Sequence, residues 1–271
     1  MPGSGGKLPG GRNYNSGITG FIQSGFAIMK KQRVAVFDFA CCEGCQLQLL
    51  NMDEKLLDLL AVVDIVEWRE GMSEHGAAYD IALIEGSITR PEDEERIRRI
   101  REQAPVLIEL GACASIGGVN KIKNASDLDE VKSCVYGSSA GLPQFATYQT
   151  KAIHEVVQVE YTIHGCPIDL VEFTKVMTSI VIGTKPDIPS YPVCVECKMR
   201  GNPCRYDYNE LCLGVITRAG CNAPCPSAGF WCFGCRGLVD DPNVNAARGM
   251  MKEYNITLES LVDKIALFNT R

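Results

Sequence analysis

The sequence predicts an α/β protein: an open parallel sheet of flavodoxin-like order, followed by a small cysteine-rich domain of irregular and helical structure. Three observations lead there. Short apolar runs alternate with segments of helical periodicity, the pattern of a parallel sheet covered on both faces. The composition changes sharply after Gly183-Thr184-Lys185-Pro186. Finally, the chain carries 14 cysteines against 3 histidines, eight of them between Cys194 and Cys235.

Taken in order, residues 1–32 are rich in glycine and serine with little periodicity, and read as a mobile extension with no assigned function. Met29-Lys30-Lys31 reads as a start in its own right. Val34-Ala35-Val36-Phe37-Asp38-Phe39 is an apolar run suited to a buried strand. Leu49, Met52, Leu56, Leu57 and Leu60 then trace one face of an amphipathic helix. Ile81-Ala82-Leu83-Ile84 and Val106-Leu107-Ile108 predict two more buried strands. Between them Pro91 and the acidic cluster Glu92 to Glu95 open a helix, with proline early and carboxylates in the first turn. Its arginines pair at i, i+4 as Glu92–Arg96, Glu94–Arg98 and Glu95–Arg99, a solvated face rather than a nucleic-acid surface. Residues 156–163 predict a fourth strand and residues 168–182 a further helix. These elements make an α/β domain over 33–186, with 187–271 as a second, cysteine-rich domain. That second segment cannot bury enough apolar surface to order itself, so something else must hold it. Leu258, Leu261, Val262, Ile265 and Phe268, behind a Thr257 cap, close the chain with a helix.

Composition narrows the function. With 46% hydrophobic and 22% charged residues the chain builds a real core, and its net charge of −6 removes a general electrostatic case for nucleic acid. No run of 18 or more apolar residues predicts a transmembrane segment. A disulfide scaffold is disfavoured by the length of the chain, by the adjacent Cys41 and Cys42, and by the lack of a readable secretory signal. Metal ligation or catalysis by thiols is what remains in a reducing compartment. Neither a phosphate-binding loop, a dinucleotide fingerprint nor a nucleophile elbow is visible, and His75, His154 and His164 lack convincing catalytic partners. The profile is that of an electron relay without a substrate pocket of its own.

Cys42 and Cys45 (C-E-G-C), Cys113 (G-A-C-A-S-I-G-G) and Cys166 (H-G-C-P) each follow a predicted strand. In an open parallel sheet those loops gather at the carboxyl edge, so four thiolates converge on one rim, with Glu85 of E-G-S-I beside them. Structural zinc draws on local paired knuckles, whereas these ligands come largely from separate strand ends, which fits an iron–sulfur cluster better. Gly44, Gly111, Gly117, Gly118 and Gly165 would allow close backbone approach. Further on, Cys194-x2-Cys197-x6-Cys204-x7-Cys212 and Cys221-x3-Cys225-x6-Cys232-x2-Cys235 match two more four-thiolate sites. Here two structural zincs are the competing reading, and the grouping of ligands is the simplest of several. Cys41 and Cys134 are left over and read as small buried hydrophobes.

In this order, C-E-G-C, E-G-S-I, G-A-C-A-S-I-G-G and H-G-C-P, with the later C-L-G-V-I-T-R-A-G-C-N-A-P-C-P-S and C-F-G-C, resemble the small subunit of nickel–iron hydrogenases over residues 33–237. The resemblance implies a flavodoxin-like domain followed by an iron–sulfur domain, and three [4Fe-4S] clusters. Cys42, Cys45, Cys113 and Cys166 would hold the proximal one, Cys221, Cys225, Cys232 and Cys235 the medial, and Cys194, Cys197, Cys204 and Cys212 the distal. Many relatives have a three-iron medial cluster and a proline where this chain has Cys225, so the medial centre here is expected to be [4Fe-4S]. Membrane-associated relatives have a histidine at the first distal position and a twin-arginine leader. Cys194, and no such leader in the sequence, point to the cytoplasmic group, which includes sulfhydrogenase-like and heterodisulfide-reductase-linked enzymes. The nickel–iron centre would sit in a partner large subunit, with H₂ as substrate, and a flavin or iron–sulfur protein would be the downstream electron partner. Two other readings compete. A complex I subunit of the B type has tandem cysteines but one cluster, leaving eight cysteines unexplained. A zinc scaffold would be colourless and redox-silent.

Overall fold

The computed structural model describes residues 31–269. Most of the extension read over 1–32 therefore lies outside the described residues, and its last residue already begins a strand. Five parallel strands form one sheet in the order β2-β1-β3-β4-β5. They are β1 (Gln32–Asp38), β2 (Val63–Trp68), β3 (Ile81–Glu85), β4 (Val106–Leu110) and β5 (Tyr161–Ile163). The order reverses direction between β1 and β3, which creates the crevice at the carboxyl edge where such sheets take ligands.

Alternating residues of each strand feed two apolar layers. Val34, Val36, Ile81, Leu83, Ile108 and Leu110 face α1 (Gly44–Leu50), α2 (Glu54–Val62) and α6 (Leu170–Val181), through Leu49, Leu59, Phe173, Val176 and Met177. Ala35, Ala82, Ile84 and Leu107 face the other way, against Ile97 and Ile100 of α3 (Pro91–Gln103) and against Ile153. Every residue of the central β3 is buried, which is why its sequence shows no polar alternation. Between β4 and β5 the chain forms α4 (Gly111–Ile116), a 3₁₀ segment Gly118–Ala125 and α5 (Leu128–Tyr136).

Several sequence expectations change here. The helix expected from Leu49 through Leu60 is two helices, broken where Asp53 takes a left-handed φ of 52°. Leu57 is consequently exposed, and Leu59 is the buried leucine of α2. β2 carries no separate signal, because its residues 63–68 directly continue that helical stretch. The strand expected over 156–163 shrinks to Tyr161–Ile163, since the preceding residues follow the 3₁₀ turn Ile153–Glu155. On α3, Glu94–Arg98 and Glu95–Arg99 pair as expected at 3.6 and 3.9 Å, but Arg96 turns away to the Asp38 carbonyl at 2.6 Å and over the Phe39 ring.

After Gly183 the elements are short: α7 (Val193–Met199), α8 (Pro224–Ser227) and several 3₁₀ turns, then α9 (Val244–Glu253) and α10 (Leu258–Asn269). α9 is additional to the expected elements, its residues including few large aliphatics. Ser260 N–H donates to Thr257 Oγ1 at 3.2 Å, the cap expected before α10. A third apolar cluster gathers Val193, Tyr206, Leu211 and Ala223, with the cysteines Cys212 and Cys232 as part of its own substance. α10 returns to pack on the Gly118–Ala125 segment, tying the end of the chain to the sheet. Among the described residues no helix is long and apolar enough to cross a membrane.

Asp169 accepts from the amides of Val171 and Glu172, both at 2.9 Å, so Asp169→Ala is expected to cost about 1 kcal/mol by denaturant titration. Leu57→Ala, on the exposed side of α2, should stay within ~0.5 kcal/mol. His154 donates its backbone N–H at 2.9 Å to the buried Glu109 and meets the same oxygen through Nδ1 at 2.8 Å. That side-chain hydrogen bond holds the imidazole above its ordinary value of 6.5 in the folded state. The stabilisation is therefore fully present below pH 6.5 and is lost as pH rises through the folded value. Stability against pH for His154→Gln should lie furthest below the native curve in acid and converge with it in base.

Candidate metal centres

The carboxyl ends of β1, β4 and β5 deliver the first four cysteines. Cys42 and Cys45 lie in the loop after β1 and the first turn of α1, Cys113 lies on α4 directly after β4, and Cys166 lies just past β5. Glu85, at the end of β3 and 2% exposed, accepts from the amides of Cys45 at 3.0 Å and Gln46 at 3.2 Å. It caps free donors at the start of α1, which have no partner within the helix, and so fixes the C-E-G-C loop against the sheet. Two glycines make room for sulfur. A Cβ on Gly111, at φ 82°, would overlap Cys45 Sγ, and one on Gly118, at φ 53°, would stand 3.1 Å from Cys113 Sγ.

The electrostatics couple these thiols to one another. Burial pushes the Cys113 thiol up to about 12, with further contributions from Cys166, Cys42 and Glu85. Cys45 and Cys166 are likewise raised, chiefly by burial and then by neighbouring groups that include Glu85. Without a metal these three sulfurs hold their protons at neutral pH, and a bound cation would have to displace them.

In the second region Cys194 is pushed up to about 12 by burial and then by Cys212, Cys197 and Cys204, the three partners that spacing grouped with it. Gly214 lies among them: a Cβ there would sit 3.5 Å from Cys194 Sγ and 3.6 Å from Cys212 Sγ. Cys235 is pushed up to about 12 by burial and shares its field with Cys221, Cys225 and Cys166. Cys232 is raised by burial and then by Cys212 and Cys235, although the Gly234 amide opposes the shift. All fourteen cysteines are free thiols.

The chemistry of this donor set fits iron–sulfur groups. The loops after β1, β4 and β5 bring four soft sulfur donors to one edge of the sheet, the donor type that iron–sulfur groups take. Moreover, the buried polar atoms without a partner include Gln46 Nε2, Ser115 Oγ and His164 Nδ1. Each belongs to a residue within two positions of Cys45, Cys113 or Cys166, where inorganic sulfide could accept their protons. His164 itself stays neutral, its imidazole lowered to about 3 by burial and by Arg218 and Arg236.

Two leftover cysteines depart from expectation. Cys134 is exposed on α5, a helix with no buried residue. Cys41 is half-buried, pushed up to about 12 by burial with smaller effects of Glu85 and Cys113, so it belongs to the environment of the first site. Arg236 and Glu172 were not among the expected site residues; they are 1% and 6% exposed and form a two-oxygen ion pair at 2.6 and 2.8 Å. An arginine beside C-F-G-C and a glutamate in the first turn of α6 give no local sign that they meet.

Known proteins share this fold and sequence. The family model described as NADH ubiquinone oxidoreductase, 20 Kd subunit matches residues 42–180, the sheet portion that carries the first four cysteines. The delta subunit of sulfhydrogenase 2 from Pyrococcus furiosus is 37% identical over 238 residues, covering 87% of this chain and 98% of its own length. A subunit of the F420-non-reducing hydrogenase (vhu) of Methanocaldococcus jannaschii is 32% identical, covering 88% of this chain and 93% of its own. Among solved structures, a chain of an NAD⁺-reducing [NiFe]-hydrogenase in the H₂-reduced state superposes with a TM-score of 0.53 at 28% identity, over 59% of this chain and 96% of that one. With the eight further cysteines lying beyond the shared sheet portion, the chain belongs to the NADH ubiquinone oxidoreductase 20 kDa subunit family, as one of its nickel–iron hydrogenase small subunits.

Proposed function

We propose that this chain is the electron-conducting subunit of a nickel–iron hydrogenase, with three [4Fe-4S] sites in series. Cys42, Cys45, Cys113 and Cys166 would hold the proximal group, Cys221, Cys225, Cys232 and Cys235 the medial, and Cys194, Cys197, Cys204 and Cys212 the distal. Each such group supplies one-electron redox chemistry with little rearrangement of its thiolate ligands.

The observation that carries this reading is a pair of hydrogen bonds linking the sets. Arg236, next to Cys235, donates through Nη1 to the His164 carbonyl at 2.5 Å, two residues before Cys166, joining the first set to the second. The amide of Cys232 donates to Cys212 Sγ at 3.1 Å, joining the second set to the third. Neighbouring sets are thus tied to one another twice, in the order that a relay requires. Neighbouring side chains hold these contacts in position: Tyr206 OH donates to the Cys212 carbonyl at 2.7 Å, and Thr217 Oγ1 donates to the Leu213 carbonyl at 2.7 Å.

The two ends of the series open outward. Cys42 and Cys166 are exposed, and Leu47 and Leu50 of α1 are exposed next to that loop, a surface suited to a large subunit that holds nickel and activates H₂. At the other end Val195, Met199 and Tyr208 are exposed around the third set, where a flavin or iron–sulfur partner would exchange electrons. Fourteen free thiols support a reducing compartment, the cytoplasm, as the site of action.

Protein isolated without oxygen is expected to contain about 12 iron and 12 acid-labile sulfide per chain, three groups of four. About 4 iron would replace the relay with a single-cluster, quinone-type subunit, and about 2 or 3 zinc without sulfide would leave a structural scaffold. Cys225→Pro should convert the medial group to a three-iron cluster, and an unchanged EPR spectrum in both redox states would remove Cys225 from the ligand set.

A further inference from the structure

Arg236 directly follows Cys235, yet its side chain is 1% exposed and lies between the first two sets of cysteines. Its Nη1 donates to the His164 carbonyl at 2.5 Å, two residues before Cys166, and its Nε donates to the Ala219 carbonyl at 2.8 Å, two residues before Cys221. Only Nη2 faces the countercharge, the Glu172 carboxylate on α6. A side chain on Gly220 would collide with both groups, so that position leaves the pair its space. The other charged or titratable groups around it are Glu196, whose Oε1 accepts from the Gly220 amide at 2.9 Å, the Arg218–Asp240 pair, Asp169 and the neutral His164.

We propose that the Arg236 guanidinium, held in place by Glu172, sets the reduction potential of the medial group relative to the proximal one, and with it the equilibrium of the first inter-cluster electron step. This inference rests on the reading that the two sets of cysteines hold clusters. The physics is direct. Reduction adds one negative charge to a group that is already anionic with its thiolates, so a fixed cation nearby favours the reduced form. Guanidinium does not titrate in the accessible range, so that bias is constant with pH. Burial removes the screening that would weaken it in salt. The effect is unequal on the two sides: Arg236 is bonded in sequence to Cys235 and binds the backbone two residues before Cys221, whereas it reaches the first set only through the carbonyl two residues before Cys166.

The test is an EPR-monitored redox titration of the anaerobically purified hydrogenase complex, with iron and sulfide measured on every sample. Arg236→Gln should lower the medial midpoint by about 59 mV or more, a tenfold shift in the one-electron equilibrium. Glu172→Gln, which removes the countercharge, should move it in the opposite direction. Arg236→Lys keeps the charge and loses the fork, so its midpoint should stay near the native value even where thermal stability falls. Unchanged midpoints in Arg236→Gln and Glu172→Gln at full iron content, or shifts of the same sign in both, would overturn the proposal. If Arg236→Gln loses iron, the sign of the shift in Glu172→Gln decides alone. A native complex with no reducible cluster would instead refute the relay reading beneath it.

Discussion

One buried guanidinium joins the parts of this molecule that carry sulfur. Arg236 reaches from the end of the last cysteine pair to the backbone before Cys166, to the backbone before Cys221, and to Glu172 on α6. A charge this deeply buried is tolerated only if nearly all its donors are met, and here carbonyls and a carboxylate meet them. Such a pair is weak evidence of stability, because desolvation opposes the attraction. Its consequence is geometric. With the guanidinium seated, the loop of the second set is held against the backbone that leads to Cys166 at the sheet edge.

The sheet supplies the other half of this constraint. Parallel strands must return by crossovers, so all their carboxyl ends lie on one edge, and loops that follow them converge whatever their separation in sequence. Glu85 turns that convergence into a defined site by binding the amides of Cys45 and Gln46. A carboxylate in this position fixes the loop and also raises the neighbouring thiols, adding to the larger effect of burial, so the sulfurs resist ionisation until a cation arrives. Glycines at 111 and 118 are required by the same crowding, because the sulfurs occupy the space a side chain would need.

The cysteine-rich portion is stabilised differently. Its apolar cluster is small and counts Cys212 and Cys232 among its buried members, with Tyr206 and Trp231 around them. If these cysteines bind an inorganic group, core and ligand set are the same residues, and its binding free energy is folding free energy. The sheet portion, by contrast, has two apolar layers of its own. α10 reinforces the arrangement by lying on the Gly118–Ala125 segment, close in sequence to Cys113.

Architecture and ligand chemistry are written locally in this chain. Buried β3 and β4, the helix opened by Pro91 and the Thr257 cap are signals set by residues a few positions apart. The strand-end positions of Cys42, Cys45, Cys113 and Cys166 are legible for the same reason, since they follow from the order of apolar runs along the chain. The misleading features are equally local in origin: the helical stripe runs on into β2 and misassigns the leucines of α2, because a backbone break at Asp53 rotates everything after it. Which groups meet across the fold is settled at the tertiary level. The Arg236–Glu172 pair, separated by 64 residues, and the contact of the Cys232 amide with Cys212 Sγ depend on how elements pack, a long-range outcome that no short window of sequence encodes.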